Sequence, residues 1–282
     1  MTATLLDGRA IAAEIWAETS AATARHLARG GQTPRLVVAR VGEDASSASY
    51  LRQITRSFGA AGLEVVTATL TADTSQADLE EALEKFNLDP ATHGILLQAP
   101  LPSGLILERA VEQIAVEKDV EGLHPFNAGL LAQGRPRFTP STPLAGLEVL
   151  RRSGVDLVGK RVTIVGRSRV VGLPLTLLAI QGHATVTVCH TRTADLAQAT
   201  RSAEVLLVAA GRAGLVDGSM IGDGAVVIDF GTNYVGDRLR GDVEFESASQ
   251  VASAITPVPG GVGPVTAAML GRNLLAAAEA AG

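Results

Sequence analysis

Short apolar runs alternate with segments whose apolar positions recur at helical spacing from one end of the chain to the other. That alternation predicts an α/β fold, parallel sheets with helices laid on their faces. The first helix is expected over Gly8–Arg29, with Ile11, Ile15 and Trp16 on its inner side and Gly30 and Gly31 to stop it. A strand follows over Arg35–Val41, a helix over Ser47–Ala61, a strand over Leu63–Leu70 and a helix over Thr74–Phe86. Gly94–Ala99 reads as a fully buried strand, cut short by the prolines of QAPLP at 98–102. Proline cannot donate to a ladder, and strand ends of this kind border ligand crevices in α/β sheets.

Gly134–Pro143, GRPRFTPSTP, is polar and proline-rich and is the expected hinge. After it come a helix over Leu144–Arg152 and strands over Arg161–Val165, Ala184–Cys189, Glu204–Ala209, Ala225–Asp229 and Ser253–Thr256. The pattern divides the 282 residues into two α/β units, 1–139 and 140–263. A last helix, about 264–282, is expected to return to the first domain.

Charge and composition narrow the partners. The net charge is -5 and no run of five like charges occurs, which argues against nucleic acid. No apolar run reaches the roughly 18 residues of a membrane span, and the chain opens without a basic-then-apolar leader, so the expectation is a cytoplasmic protein. Cys189 is the only cysteine, which leaves no disulfide frame and no thiolate metal site; no metal is expected. Lysine occurs only at 85, 118 and 160, and arginine supplies the remaining positive charge.

The chemistry begins where the strand RVTIV runs into GRSRVVG, Gly166–Gly172, with a helix expected to open at Leu173 and Pro174. Free backbone N–H groups at a helix N-terminus attract phosphate, so this loop reads as a dinucleotide site. An NAD site calls for an acid at the end of the next strand, about 20 residues on. Here that strand ends Cys189, His190, Thr191, Arg192. Arg167, Ser168, Thr191 and Arg192 offer the cations and hydroxyls that suit a 2′-phosphate, and NADP is favoured.

Five segments together carry a family resemblance: VGEDASSASY at 41–50, GILLQAPLP at 94–102, EKDVEG at 117–122, VGRSRVVGLP at 165–174 and PVPGGVGPVTAAML at 257–270. The chain resembles, over essentially its whole length, the bifunctional methylenetetrahydrofolate dehydrogenase/cyclohydrolases. The resemblance implies a three-layer α/β substrate domain at 1–139 and a Rossmann-like NADP-binding domain at 140–263, and oxidation of 5,10-methylenetetrahydrofolate with NADP, followed in many members by hydrolysis to 10-formyltetrahydrofolate, usually in a homodimer. It implies that Tyr50 lies against the folate, that Gln98 assists near the reacting carbon, and that Pro257–Thr266, with Pro259, Gly260 and Gly261, lines the nicotinamide and folate site. Asp229, in VIDFGTNYV, matches a strand end beside the cofactor, with a loop-capping role as the alternative.

Three positions depart from the family pattern, the third more mildly. Where the family has a lysine four residues after the tyrosine, this chain has Ile54, expected to share a helix face and a cleft with Tyr50. Arg52 and Arg56 should face elsewhere, and guanidinium is no general base. Where the family has a pterin-binding aspartate, this chain has Glu121. Ala99 replaces a larger apolar residue, a change that reads as core variation. Hydride transfer needs positioning and no proton carrier. Methenyl hydrolysis must move protons, and Ile54 cannot; Gln53 has no useful proton affinity. The expectation is therefore an NADP-dependent dehydrogenase with weak or absent cyclohydrolase activity. The alternatives are a repurposed transferase or cyclase that delivers the one-carbon unit to another nucleophile, and a non-enzymatic folate or NADP sensor.

Overall fold

The computed structural model describes residues 2–42 and 45–282, with the side chains of 45–50 and 53 outside the described set. The chain clusters into two compact units, Glu14–Ser141 with Ala267–Gly282, and Met1–Ala13 with Thr142–Thr266.

The Glu14–Ser141 unit is built on β2 (Arg35–Val41), β3 (Glu64–Leu70) and β4 (Gly94–Leu97), all parallel in the order β3-β2-β4. Central β2, RLVVARV, is almost continuously buried, whereas edge strand β3 alternates half-buried and exposed residues. Helix α1 (Gly8–Ala28) buries Ile11 and Ile15, and its Trp16 meets Phe58 of α2 (Ala45–Ala60) edge to face at 5.4 Å. α3 (Gln76–Leu88) starts two residues later than the apolar pattern suggests because Ser75 and Asp78 form a reciprocal capping box. The short helices α4 (Leu107–Val111) and α5 (Pro125–Ala132) complete the crossover region, α5 opening with proline at its first position. The C-terminal α10 (Val262–Ala281) buries Leu270, Leu274 and Ala277 in the same core as Leu36, Val38 and Leu96, as the expected return of the last helix requires.

The other unit carries six parallel strands, β1 (Thr4–Leu5), β5 (Arg161–Val165), β6 (Thr185–Cys189), β7 (Val205–Val208), β8 (Val226–Asp229) and β11 (Ala254–Ile255). Their order is β1-β11-β8-β7-β5-β6. Residues 1–13, expected with the substrate domain, cluster here because β1 adds to the edge at β11; a two-residue strand leaves no periodic signal. The helix α6 (Ser141–Arg152) begins inside the expected hinge, since Pro143 falls in its first turn, where a missing N–H costs nothing. α7 (Gly172–Gln181), α8 (Leu196–Arg201) and α9 (Phe245–Val251) connect the strands, and a small antiparallel hairpin, β9 (Asn233–Val235) with β10 (Arg238–Arg240), follows β8. That hairpin is too short and polar to be read from periodicity. Cys189 is buried at the end of β6.

Candidate active site

Strand order locates the first candidate site. β5 pairs with β6 on one side and β7 on the other, so the connection from β5 to β6 and that from β7 to β8 run in opposite directions. The loop after such a strand opens at the carboxyl edge of the sheet at a topological switch point, where α/β sheets bind ligands. That loop is Gly166–Val171, and α7 begins at Gly172 rather than Leu173.

Both glycines are dictated by packing. Gly166 has φ +125°, and a Cβ there would run into the Ala209 carbonyl; a Cβ on Gly172 would run into the carbonyl of Gly166 itself. Ser168 Oγ accepts from Val171 N at 3.1 Å and Gly172 N at 3.4 Å, and its carbonyl accepts from Leu173 N at 3.0 Å. The Ser168 hydroxyl therefore shapes the start of α7 while its own proton stays available to an anion. Arg167 is exposed, as are Thr191 and Arg192 at the end of β6, where His190 holds the turn by accepting from Arg192 N at 3.1 Å.

Asp229, the uncertain assignment of the sequence, is a loop clamp. Its carboxylate is buried and accepts from Gly231 N at 2.8 Å, Asp242 N at 2.9 Å and Val243 N at 2.9 Å. Burial pushes its carboxyl up to about 6 against the pull of those N–H groups. The Pro257–Thr266 loop in this unit exposes Pro259, bends at Gly260 with φ +109° and buries Gly261. Arg9 lies over Gly260, and Gly8 is so close to the Gly261 carbonyl that no side chain fits.

In the Glu14–Ser141 unit, Gln98 is buried at the end of β4, its N–H donating to the Ala39 carbonyl at 2.9 Å, with Ala99 next to it at the strand end. Tyr50 falls in α2, but its side chain, like that of Gln53, lies outside the described residues. Ile54 corrects the sequence reading. It is fully buried among Leu36, Val38 and Phe58, in the core rather than along a cleft, because its face of α2 rests on the sheet. Arg52 and Arg56 are exposed.

Glu121 is half-buried and has neither a hydrogen bond nor an ion pair within the described residues. Burial, with Asp119 nearby, pushes its carboxyl up to about 7. The turn that presents it depends on Asp119, which sequence reasoning passed over. Asp119 accepts from Leu123 N at 3.1 Å and from His124 N and Asn127 Nδ2, both at 2.8 Å. Asn273 of α10 donates to the Val120 carbonyl at 2.8 Å and the Thr139 carbonyl at 3.0 Å. An Asp two residues before a glutamate, followed by Gly122 at φ +64°, was the available signal of a tight turn. Lys118, of the same KDVEG run, donates to the carbonyls of Phe86, Asn87 and Asp89, closing the end of α3.

Among the described residues no helix is long and apolar enough to cross a membrane, and no group of three His, Cys, Asp or Glu is arranged to hold a metal.

Comparison with known proteins agrees with this geometry. Residues 6–121 match the catalytic domain of the tetrahydrofolate dehydrogenase/cyclohydrolase family, and residues 140–282 match its NAD(P)-binding domain. The bifunctional protein FolD of Chloroflexus aurantiacus is 48% identical over 278 residues, 98% of each chain. That of Herpetosiphon aurantiacus is 50% identical over 280 residues, 99% of this chain and 98% of its own. The crystal structure of the Campylobacter jejuni FolD dehydrogenase/cyclohydrolase superposes with a TM-score of 0.96 at 37% identity, covering 98% of this chain and 99% of that one. The Trypanosoma brucei FolD structure, complexed with NADP cofactor and inhibitor, gives 0.95 at 38% identity, covering 99% and 98%. With two family domains matched along its length and relatives near half identity, the chain belongs to the tetrahydrofolate dehydrogenase/cyclohydrolase family.

Proposed function

We propose that this protein oxidises 5,10-methylenetetrahydrofolate to 5,10-methenyltetrahydrofolate with NADP, and that its cyclohydrolase step is weak or absent. The dinucleotide belongs to the six-stranded unit and the folate to the three-stranded one. The NADP assignment is supported by a loop whose backbone would be filled by any Cβ at Gly166 or Gly172, flanked by exposed Arg167, Thr191 and Arg192 with no acid at the end of β6. The loop's N–H groups and Ser168 are suited to phosphate, and the arginines to a 2′-phosphate. Bound NADP supplies the hydride acceptor. The protein's share of that step is orientation, in which Tyr50 and Gln98 hold the folate and Glu121 meets the polar edge of the pterin, while the Pro259–Gly261 turn of the six-stranded unit serves the nicotinamide.

The observation that carries the second half of the proposal is the burial of Ile54. At the position of the family lysine stands an apolar side chain sealed among Leu36, Val38 and Phe58. The three lysines of the chain are engaged elsewhere: Lys85 with Glu81, Lys118 with the end of α3, and Lys160 with Glu204. None takes the place of the missing proton carrier, which methenyl hydrolysis requires and hydride transfer does not.

The test is purified enzyme with methylenetetrahydrofolate and NADP, following methenyl and NADPH signals separately. Both should rise together, and methenyltetrahydrofolate added alone should decay no faster with enzyme than without. Clear acceleration of that decay overturns the cyclohydrolase half. Folate consumption without NADP reduction favours transfer of the one-carbon unit to another acceptor. A cytoplasmic homodimer completes the proposal and is checked by sedimentation.

A further inference from the structure

We propose that Asp242 is a positioning residue for the cofactor site, its carboxylate setting the backbone of the Ala209–Arg212 turn against which the Gly166 loop is packed. The inference rests on the NADP reading of that loop. All the residues concerned lie at the carboxyl edge of the six-stranded sheet. Gly166 donates to the Cys189 carbonyl at 2.9 Å, Ala209 donates to the Val165 carbonyl at 2.7 Å, and the Ala209 carbonyl lies where a Gly166 Cβ would be. A displacement of the turn is therefore transmitted to the first residue of the cofactor loop by direct contact.

What holds the turn is a single fully buried side chain. Asp242 Oδ2 accepts from Ala210 N at 2.6 Å and Gly211 N at 2.8 Å, and Oδ1 accepts from Arg212 N and Asn233 Nδ2, both at 2.8 Å. Asp242 is itself held from behind, its N–H donating to Asp229, whose own N–H donates to Thr256 Oγ1 at 2.8 Å. The two carboxylates thus join the ends of β7 and β8, and the Asp229 N–H ties them to Thr256 after β11. Gly231 and Gly241 are required by the same clamp, since a Cβ on either would strike Asp242 or Asp229.

Simple closure of the strand ends does not demand this arrangement. Gly211 and Arg212 are exposed and water would satisfy their N–H groups. Burying two acids beside each other is costly, and charged groups held in place by networks of this kind concentrate where geometry matters for function. The clamp also has a chemical consequence. The N–H groups of residues 210–212 are committed to Asp242, so the turn offers shape to the cofactor, and anion binding falls to the Gly166–Gly172 loop.

Asp242→Asn keeps the size of the side chain but turns a donor toward N–H groups that need an acceptor. In the full-length enzyme it should raise the Kd for NADPH, read by fluorescence titration, and the KM for NADP by roughly tenfold or more, with the KM for methylenetetrahydrofolate changed less than about twofold. Asn233→Ala removes one of the four donors and should move the same constants in the same direction by about threefold. It serves as the test if Asp242→Asn does not fold. Unchanged NADPH affinity in either cooperatively folded variant overturns the proposal, and so does an equal loss of both ligands, which marks general destabilisation. Arg167→Ala tests the loop itself: wild-type protein that binds no NADPH, or binding indifferent to Arg167→Ala, defeats the underlying reading instead.

Discussion

The two strand edges that carry the candidate chemistry are made of different materials. In the six-stranded unit the site is mostly backbone: glycines without room for a Cβ, N–H groups at the start of α7, and a turn held by Asp242. In the three-stranded unit it consists of individual side chains, Gln98 and Glu121 among the described residues, with Ile54 withdrawn into the core. A backbone site tolerates little change at its glycines and much change around them. A side-chain site can lose one chemical capacity and keep the rest, which is what the proposed function ascribes to Ile54.

The largest effect is expected of Gly166→Ala. The backbone there has φ +125° and the new Cβ meets the Ala209 carbonyl, so strain and overpacking together should cost roughly 4 kcal/mol. NADPH binding should fall below detection while folate binding persists in the folded fraction; retained NADPH affinity would show that the site is not built on this backbone. Next comes Ile54→Lys, which puts an ammonium into a filled core and should cost roughly 3 kcal/mol in denaturant unfolding. A loss under 1 kcal/mol would contradict the tight packing inferred for this position. In the fraction that stays folded, accelerated methenyl decay would show that the rest of the folate site is intact.

Asp119→Ala sharpens the other side. It strands the N–H groups of Leu123 and His124 and the amide of Asn127, at about 2 kcal/mol or more. The KM for methylenetetrahydrofolate should rise with that for NADP unchanged; the reverse pattern would sever Asp119 from the folate turn.

The smallest effect is one of pH. Glu121 is raised from 4.5 to about 7 in the folded chain, so between those values the folded state holds a proton that the unfolded chain has released. Its contribution to stability is present below pH 4.5 and is lost as pH rises through 7. Glu121→Gln should flatten that slope and raise the Tm slightly at pH 8, whereas a lower Tm at pH 8 would mean that the carboxylate has a stabilising partner. Glu148 has the opposite sign. Its hydrogen bonds with Arg151, and then Arg152, hold it at about 2, and its contribution fades as pH falls from 4.5 toward 2.

Periodicity located the long elements well because α1, β2 and α10 each bury a wide, regular face. It missed β1 and the β9–β10 hairpin, which are two or three residues long and held by pairing partners distant in the chain or by a turn. Helix starts moved by a few residues, that of α3 because a capping box at Ser75 decided it and that of α6 because Pro143 is accommodated in the first turn. The dinucleotide loop was legible because its glycines and its position between a strand and a helix are local properties. Asp119, Asp242 and Asn273 were not, since an aspartate that gathers N–H groups from three segments looks, along the chain, like any polar loop residue.

The alternation of apolar runs and helical patterns, the GRSRVVG loop and the absence of an acid after β6 are properties of the sequence alone. They determined an α/β dinucleotide enzyme because each depends on residue type and near-neighbour spacing, whereas the question of the hydrolytic step came from the family resemblance, which has a lysine where this chain has Ile54. Burial of Ile54 in the core, the buried surroundings that raise the Glu121 carboxyl, and the clamping of three loops by Asp229 and Asp242 came from the tertiary structure. Burial and hydrogen-bond partnership are set by residues far apart in the chain, and folding alone brings those residues together.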